Sequence, residues 1–596
     1  MNADVEGSAT GQRSVVSRRT APDLDDEFGL GALLALAFGG VIGSGWLLGG
    51  YYASSIAGSL TLLSWLIGGA LMLVVAVVMV ELGRHAPENG GLVSWPYQSS
   101  GPFVGTIVAA ALWIFYALNP ATESVAVVQA FESHDLYDYT SPHPHPTWLG
   151  ILVAALIMVP VVATNLLALK WIRQSTVVLS AFKVFAPVAV IVLLFMSGLH
   201  PHTYTAHPVG AGYTSQRAVI SAVTLGGVVF AYVGFQGPLD LAGQVRRDVV
   251  HRFGLRIDEG VRLRVAVLGT IGGSILLYTL LQFVYLKHSG ISGHLVYLDD
   301  VLWNPGDPAS PYTKLAGNVA IMVLLVRIDT FASPASAGMV YVLLASREVE
   351  GLAQMGVTDR RLAQPRRLFG RGRRDMSAIL LVNLVVGWVS LLVLGGDWAN
   401  LVSASSVLTL VIYAMPAVSL MALRRHYADM GSSRFRISGF WWIPAWLGFV
   451  GAGEVLYWSG WASLWRSMTM LGVGALFLLL LPVISRWTPA RIYDADNQLS
   501  GRWGPLRRAA LATALPTLVL LAGLLLLDLA DMSSDKSKPD ALLPEPSGSL
   551  VVAVLASLVF FWSYRASVAY MRLREPNLRE PSSSTGSGSW DQDLEI

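Results

Sequence analysis

A lone lysine lies inside an apolar stretch that is long enough to cross a membrane. Lys183 is the only charged residue between Arg173 and the end of that stretch near residue 197. Counted from Ser175 at 1.5 Å per residue, it lies about 12 Å along a helix, a marginal depth for a lysine whose side chain must reach the interface. Because a charge within a membrane is expensive and usually functional, Lys183 is predicted to carry function.

A second polar set occupies one face of another apolar helix. Asp329, Ser333 and Ser336 are spaced i, i+4 and i+7, which places them on the same side. Counted back from Ser346, Ser336 and Ser333 lie about 15 and 20 Å deep. Asp329 is either a charge partner or a structural anchor in the outer half, and the anchor is the favoured interpretation.

A glutamate and its neighbours fall near the end of a third apolar helix. Glu123 lies about 30 Å along the helix from Phe103, which predicts a solvated helix end near the outer mouth. Asn119 and Thr122, one turn away, are predicted to border a central cavity. The candidate gating residues are Asn119, Thr122, Asp329 and Tyr413.

Two further segments would make poor continuous helices. The first apolar stretch contains Val41-Ile42-Gly43-Ser44-Gly45, and glycine weakens a helix by about 1 kcal/mol per site relative to alanine. A packing face of small residues usually repeats every fourth residue, whereas this cluster runs around the helix. An unwound segment is therefore favoured over a packing face.

The sixth apolar stretch repeats this feature. It reads Phe230-Ala231-Tyr232-Val233-Gly234-Phe235-Gln236-Gly237-Pro238, and proline forces a helix to bend or open upstream. Non-helical backbone at membrane depth must be buried in protein or line a wet cavity. Breaks at corresponding positions of two halves point to an inverted-repeat transporter with its site at the midplane. Free amides there suit a carboxylate, and free carbonyls suit an ammonium group.

The composition places these segments in an integral membrane protein. Apolar residues make up 54% of the 596-residue chain and charged residues 13%, against roughly half and a quarter in soluble proteins. A span needs about 20 apolar residues, and about fourteen such stretches occur. They are predicted at 30–53, 56–82, 104–130, 148–168, 175–197, 218–240, 263–286, 315–346, 376–396, 400–423, 439–460, 466–485, 509–529 and 548–566.

The distribution of basic residues predicts the orientation. With the N-terminus inside, 33 of the 41 Lys and Arg residues fall in cytosolic segments and six in outward loops. The opposite orientation would violate the positive-inside rule. Both termini are therefore predicted in the cytosol, in a multi-pass protein of the cytoplasmic (inner) membrane. Cysteine does not occur, which excludes disulfides and thiol chemistry.

Motifs in consistent order give the chain a resemblance to the amino acid–polyamine–organocation (APC) permeases. The similarity extends over roughly residues 25–485. The motifs are the first-span glycines at 40–45, Glu81 with Pro87, Gly90 and Gly91 after the second span, Phe230 to Phe235 in the sixth, Asp329 to Gly338 in the eighth, and Tyr413, Pro416, Ser419, Leu420, Arg424 and Arg425 in the tenth.

The resemblance implies an all-α polytopic fold with a five-plus-five inverted-repeat (LeuT-like) core, which works by alternating access. Composition and the resemblance together divide the chain into a disordered cytosolic tail (1–27), the transport core (28–425), spans eleven and twelve (426–485), two additional spans outside the resemblance (486–570) and a second disordered tail (571–596). The resemblance also implies that amides hold the substrate carboxylate and carbonyls its amino group. The implied substrate-binding residues are Ile42, Gly43, Ser44, Gly45, Phe230, Ala231, Val233 and Gly234.

The resemblance also assigns a role to Lys183. In proton-coupled members, a fifth-span lysine occupies the position where sodium-coupled relatives bind a cation. The implied coupling set is Lys183, Ser333 and Ser336, with protonated Lys183 bridging spans one and eight. One departure is Gln236, which stands where the family often has Glu and puts carboxylate-based coupling there in doubt.

The favoured function is proton-coupled symport of an amino acid or a related amine. The alternatives are an amino acid or amine exchanger and a membrane-embedded sensor without net transport. A channel is disfavoured because no ring-forming filter is evident, and an enzyme because no HExxH motif or P-loop occurs. The predicted partners are the substrate, a proton and the lipid bilayer, with no cofactor, metal or nucleic acid.

Overall fold

The computed structural model is built from α-helices, with two short antiparallel strand pairs in the part of the chain it describes. Strand β1 (Tyr137–Asp138) pairs with β2 (His145–Pro146), and β3 (Val250–Arg252) pairs with β4 (Leu255–Ile257). The described residues are 28–85, 90–131, 133–138, 145–166, 169–196, 215–246, 248–252, 255–288, 311–316, 319–354, 358, 377–429, 440, 442–484, 505–531 and 546–574. The predicted tail at 1–27 and most of the predicted tail at 571–596 lie outside them.

The helices follow the apolar stretches of the sequence. In chain order they are α1 (Leu30–Val41), α2 (Ser44–Ala57), α3 (Thr61–His85), α4 (Gly91–Ser100), α5 (Pro102–Gln129), α6 (Trp148–Ala163), α7 (Leu169–Met196), α8 (Ser215–Leu225), α9 (Val228–Tyr232), α10 (Gly237–Asp240), α11 (Glu259–His288), α12 (Pro311–Ala316), α13 (Ala320–Gln354), α14 (Ser377–Val393), α15 (Trp398–Asp429), α16 (Trp442–Tyr457), α17 (Trp461–Ile484), α18 (Pro505–Asp531) and α19 (Ser547–Arg574).

Helical structure lies at every predicted span position. Within the described ranges, ten stretches are long and apolar enough to cross a membrane by length and composition, and one of them, Leu30–Arg84, contains two predicted spans. The chain is thus a multi-pass membrane protein, and the number fourteen stays a prediction. The separate helix α4 between the second and third predicted spans was not anticipated.

Both predicted helix interruptions are confirmed. Helix α1 ends at Val41 and α2 begins at Ser44, with Ile42 in extended conformation (φ −88°, ψ 97°). The sixth predicted span is divided into α8, α9 and α10. Gly234, with φ 126°, lies against the first break, where a Cβ would overlap the backbone of Gly40. The two breaks therefore touch each other through glycine backbone.

The broken helices lie in the centre of the molecule, and continuous helices surround them. Helix α1 packs on α7, α11 and α13, while α2 packs on α8 and α9. Helix α5 is buried along almost its whole length. Outer helices carry apolar side chains that are more than half exposed, among them Leu152, Leu392 and Leu558, as expected for a surface that faces lipid.

The two C-terminal helices pack on the joint between α4 and α5. Gly101 forms this joint with φ 87°, and a Cβ there would lie 3.0 Å from the Tyr570 ring of α19. The Thr513 hydroxyl of α18 donates to the Ser100 carbonyl, and the Ser100 and Ser567 hydroxyls lie 2.8 Å apart. Helices α18 and α19 are thus integral to the packing of the transport core.

Candidate substrate and coupling site

A glutamate of this chain occupies the first helix break. Glu123 Oε2 accepts the amide hydrogen of Ser44, the first residue of α2, at 2.8 Å. The N-terminus of a helix carries about half a positive charge and unpaired amides, so a carboxylate is favoured there. A Cβ at Gly43 would overlap Glu123 Oε1, which accounts for glycine at that position.

The prediction of a solvated Glu123 was wrong. The side chain is 3% exposed, because α2, α13 and α15 pack around α5. Counting along one helix gives a residue's position on that helix but says nothing about what packs around it. The sequence therefore placed Glu123 at the outer mouth, whereas the fold places its carboxylate where the substrate carboxylate was expected.

Lys183 lies on the opposite side of the same break. Its Nζ donates to the Gly39 carbonyl at 2.7 Å, and its side chain is fully buried. Gly39 is in the last turn of α1, and the C-terminus of a helix attracts cations. Each end of the interrupted helix thus contacts a group of opposite charge. The ammonium group of Lys183 binds the C-terminal end of α1, and the carboxylate of Glu123 binds the N-terminal end of α2.

Asp329 completes a cluster of three ionisable groups. Its carboxylate accepts from Trp46 Nε1 and from the Ser333 hydroxyl, each at 2.8 Å. The charges of Asp329 and Glu123 both act on Lys183. The hydrogen bond from Trp46 makes Asp329 an anchor between α2 and α13, and its role as a charge partner of Lys183 stays a prediction.

The coupling serines lie close to this cluster. The Ser333 hydroxyl donates to Asp329, and Ser336 is buried beside Ala337, whose Cβ lies 3.1 Å from a Cβ built at Gly43. The hydrogen bond of Lys183 runs to α1. Direct contact between Lys183 and either serine stays a prediction.

The second break is held by Gln236 and Tyr413. Gln236 Oε1 accepts the Gly234 amide hydrogen at 2.8 Å and the Tyr413 hydroxyl at 2.7 Å. Val233 is extended (φ −73°, ψ 145°). Gln236, which departs from the family pattern, thus acts as a neutral hydrogen-bond acceptor for the unwound backbone of the sixth predicted span.

The remaining predicted residues divide into packing and polar positions. Gly45 packs on Ala231, where a Cβ would lie 2.9 Å from the Ala231 Cα. The Thr122 hydroxyl donates to the Leu118 carbonyl at 3.0 Å. Asn119 Oδ1 is buried without a hydrogen-bond partner among the described residues.

An aromatic residue that was not predicted from the sequence covers the Ser44 end of the site. Trp398 Nε1 donates to the Ser44 hydroxyl at 3.0 Å. The Trp398 ring stacks on Tyr52 with centroids 4.9 Å apart and meets the Phe230 ring edge-on at 6.2 Å. No local signal distinguishes Trp398 from the other 18 tryptophans, because its role depends on a partner 354 positions away.

The described residues show no group of three or more His, Asp or Glu side chains that could hold a metal ion. The site offers instead backbone amides, backbone carbonyls and the cluster of Glu123, Lys183 and Asp329. Such groups can bind a zwitterion and exchange protons.

Known proteins share this sequence pattern over most of its length. Residues 28–491 match the family model described as amino acid permease. The chain is 28% identical over 473 residues to the glutamate/serine transporter AimA of Bacillus subtilis, covering 78% of this chain and 83% of that one. It is 25% identical over 482 residues to the aspartate-proton symporter of the same organism, covering 79% and 86%. It is 23% identical over 479 residues to the γ-aminobutyric acid permease of Escherichia coli, covering 76% and 92%. Because the family model spans well over half of the chain, the protein belongs to the amino acid permease family.

Proposed function

We propose that this permease carries an amino acid across the cytoplasmic membrane by alternating access, in symport with a proton. The observation that carries the proposal is the hydrogen bond from the Ser44 amide to Glu123, at the position where the family resemblance places the substrate carboxylate. The names of two relatives, a glutamate/serine transporter and an aspartate-proton symporter, support the substrate class and the coupling ion.

In this mechanism, substrate binding and protonation of Glu123 favour each other. The helix N-terminus attracts one carboxylate, whereas two carboxylates at the Ser44 amide would repel each other. A proton on Glu123 removes its charge and allows the substrate carboxylate to take the amide. Because linkage is reciprocal, bound substrate strengthens proton binding by the same factor. Symport requires coupled binding of this kind.

The charge state of Lys183 is proposed to control the position of α1. Its ammonium group ties α7 to the Gly39 carbonyl, and a charge-assisted hydrogen bond is roughly twice as strong as a neutral one. Loss of charge on Lys183 would weaken this tie and allow α1 to move. The positive charge also repels sodium from the same pocket.

The proton belongs to the cluster as a whole. Lys183 interacts electrostatically with both Glu123 and Asp329, and strongly interacting groups titrate together. The link to α13, assigned from the sequence to Ser333 or Ser336, is proposed to run through Asp329.

The proposed orientation places the N-terminus in the cytosol. The Phe28 amide donates to the Gln244 carbonyl at 2.9 Å, and the Arg246 amide donates to the Phe28 carbonyl at 3.1 Å. The start of α1 and the chain after α10 therefore lie at one face of the membrane. The basic residues that follow α10 support that face as the cytosolic one.

Transport by purified protein in liposomes tests the proposal. With the membrane potential clamped at zero, an inward gradient of one pH unit should sustain about tenfold accumulation of a zwitterionic amino acid per proton. Glutamate, serine and aspartate form the first panel, in sodium-free buffer. Accumulation that required sodium and ignored pH would contradict the mechanism, and counterflow without accumulation would identify an exchanger.

A further inference from the structure

A second pair of carboxyl groups is buried away from the substrate site. Asp240 ends α10, and Glu348 lies near the C-terminal end of α13; they are 2% and 1% exposed. Both lie around Gly90. The main-chain amide of Gly90 donates to the main-chain carbonyl of Asp240 at 3.0 Å. A Cβ built at Gly90 would lie 3.5 Å from the side-chain oxygen Oε2 of Glu348.

The pair has few compensating partners. The Tyr116 hydroxyl donates to Asp240 Oδ2. Among the described residues, Asp240 Oδ1 and both Glu348 carboxylate oxygens are buried without a hydrogen-bond partner. The charge of Asp240 acts on Glu348, and no cation among the described residues is paired with either acid.

The surrounding elements supply no neutralising charge in the part of the chain that is described. Three tyrosines on the surrounding helices interact electrostatically with Asp240. They are Tyr116 on α5, Tyr341 on α13 and Tyr413 on α15. Arg424 of α15 is paired with Glu81 of α3 at 2.9 Å. On α11, Arg262 is paired with Asp248 at 3.0 Å.

An isolated charge in such a place is strongly unfavourable, so a buried carboxyl group takes up a proton and becomes neutral instead. Two carboxyl groups sharing one site cannot both ionise readily. The described residues around them provide no third metal-ligating side chain, which disfavours a metal ion. The pair is therefore suited to hold a proton.

Two features make the proton exchangeable. Glu348 lies beside Gly90 at the N-terminus of α4. The dipole of that helix stabilises a carboxylate, so Glu348 can lose its proton. A polar chain also leads from the second break to the pair, because Gln236 accepts from Gly234 and Tyr116 lies between Gln236 and Asp240.

We infer that Asp240 and Glu348 form a second proton site, from which the proton that enters with the substrate leaves to the cytosol. The origin of that proton rests on the proposed function. The presence of an exchangeable proton on the pair does not, and it can be measured separately.

The first measurement is infrared spectroscopy of purified protein at rising pH. Relative to the double variant Asp240→Asn/Glu348→Gln, the native protein should show an additional carbonyl stretch of a buried carboxylic acid, and this band should disappear at alkaline pH. A native spectrum identical to that of the variant would overturn the inference, whatever the transport activity.

The second measurement is transport in liposomes. Under a one-unit inward pH gradient, accumulation by Glu348→Gln should fall from about tenfold to about onefold, while substrate counterflow persists. Asp240→Asn should do the same. The matched control is Glu454→Gln on α16, a carboxyl group of a membrane helix next to the hydrogen bond between Trp458 and Ser549, and it should accumulate substrate as the native protein does.

The outcomes separate the two proposals. Native-like accumulation by Glu348→Gln would overturn the release site while leaving proton symport intact. If the native protein itself failed to respond to the pH gradient, the proposed function would fail, and the infrared comparison would still decide whether the pair binds an exchangeable proton.

Discussion

The most direct test of the coupling mechanism is Glu123→Gln. This change keeps the shape of the side chain and an oxygen that can accept the Ser44 amide at the observed 2.8 Å, but it removes the charge. Hydrogen bonds to charged groups contribute about 1.5–3 kcal/mol and neutral ones about 0.5–1.5. The internal competitor of the substrate carboxylate is thus weakened by about 1 kcal/mol, which corresponds to roughly fivefold tighter substrate binding.

The sign of the pH effect follows from the same contact. In the native protein, protonation of Glu123 frees the Ser44 amide, so substrate affinity should rise as pH falls. In Glu123→Gln the competitor cannot change charge, and affinity should be nearly constant with pH. Asp329 remains as a counter-charge for Lys183, so the cluster keeps one anion.

Equilibrium binding of radiolabelled substrate at pH 6 and pH 8 measures both effects. Glu123→Asp is the control, because it keeps a titratable group and should keep the pH dependence. The reasoning is refuted if Glu123→Gln retains both the affinity and the pH dependence of the native protein.

Three further predictions follow from the contacts around the breaks and from the orientation. Lys183→Ala should abolish accumulation driven by a pH gradient in liposomes while part of the binding survives, and normal accumulation would exclude its coupling role. Gly45→Leu should lower the melting temperature and abolish uptake, since its Cβ would lie 2.9 Å from the Ala231 Cα and overpacking costs about 1–3 kcal/mol; unchanged stability would contradict the packing of the two breaks. A cysteine at Gly370, which lies outside the described residues, should react with an impermeant reagent only from the cytosolic face. The native chain has no cysteine background, so labelling from outside intact cells would reverse the orientation.

Local patterns in the sequence were sufficient for the fold class. Glycine and proline act through their own backbone properties, so the breaks at Ile42–Gly43 and at Val233–Gln236 could be predicted from single segments. The burial of Lys183 was predictable for the same reason, since almost all of its neighbours in the sequence are apolar. The all-α polytopic fold is confirmed by the helices, and the LeuT-like inverted-repeat core that the family resemblance implied is supported by the family match.

The charge pairing inside the core was not predictable in this way. Glu123 meets Ser44 across 79 positions, and Trp46 meets Asp329 across 283. Such contacts depend on which helix faces pack together, and a single sequence does not specify that. The same holds for Asp240 and Glu348, which lie on different helices and carry no motif.

The packing of α18 and α19 on Gly101 has a consequence for how turnover can be adjusted. Both helices lie beyond the segment matched by the family model, which ends at residue 491, yet they contact the joint between α4 and α5. A change of angle at Gly101 must either break these contacts or carry the two helices along. Substitutions in a segment remote from the substrate can therefore alter the speed of the transport cycle and leave selectivity unchanged.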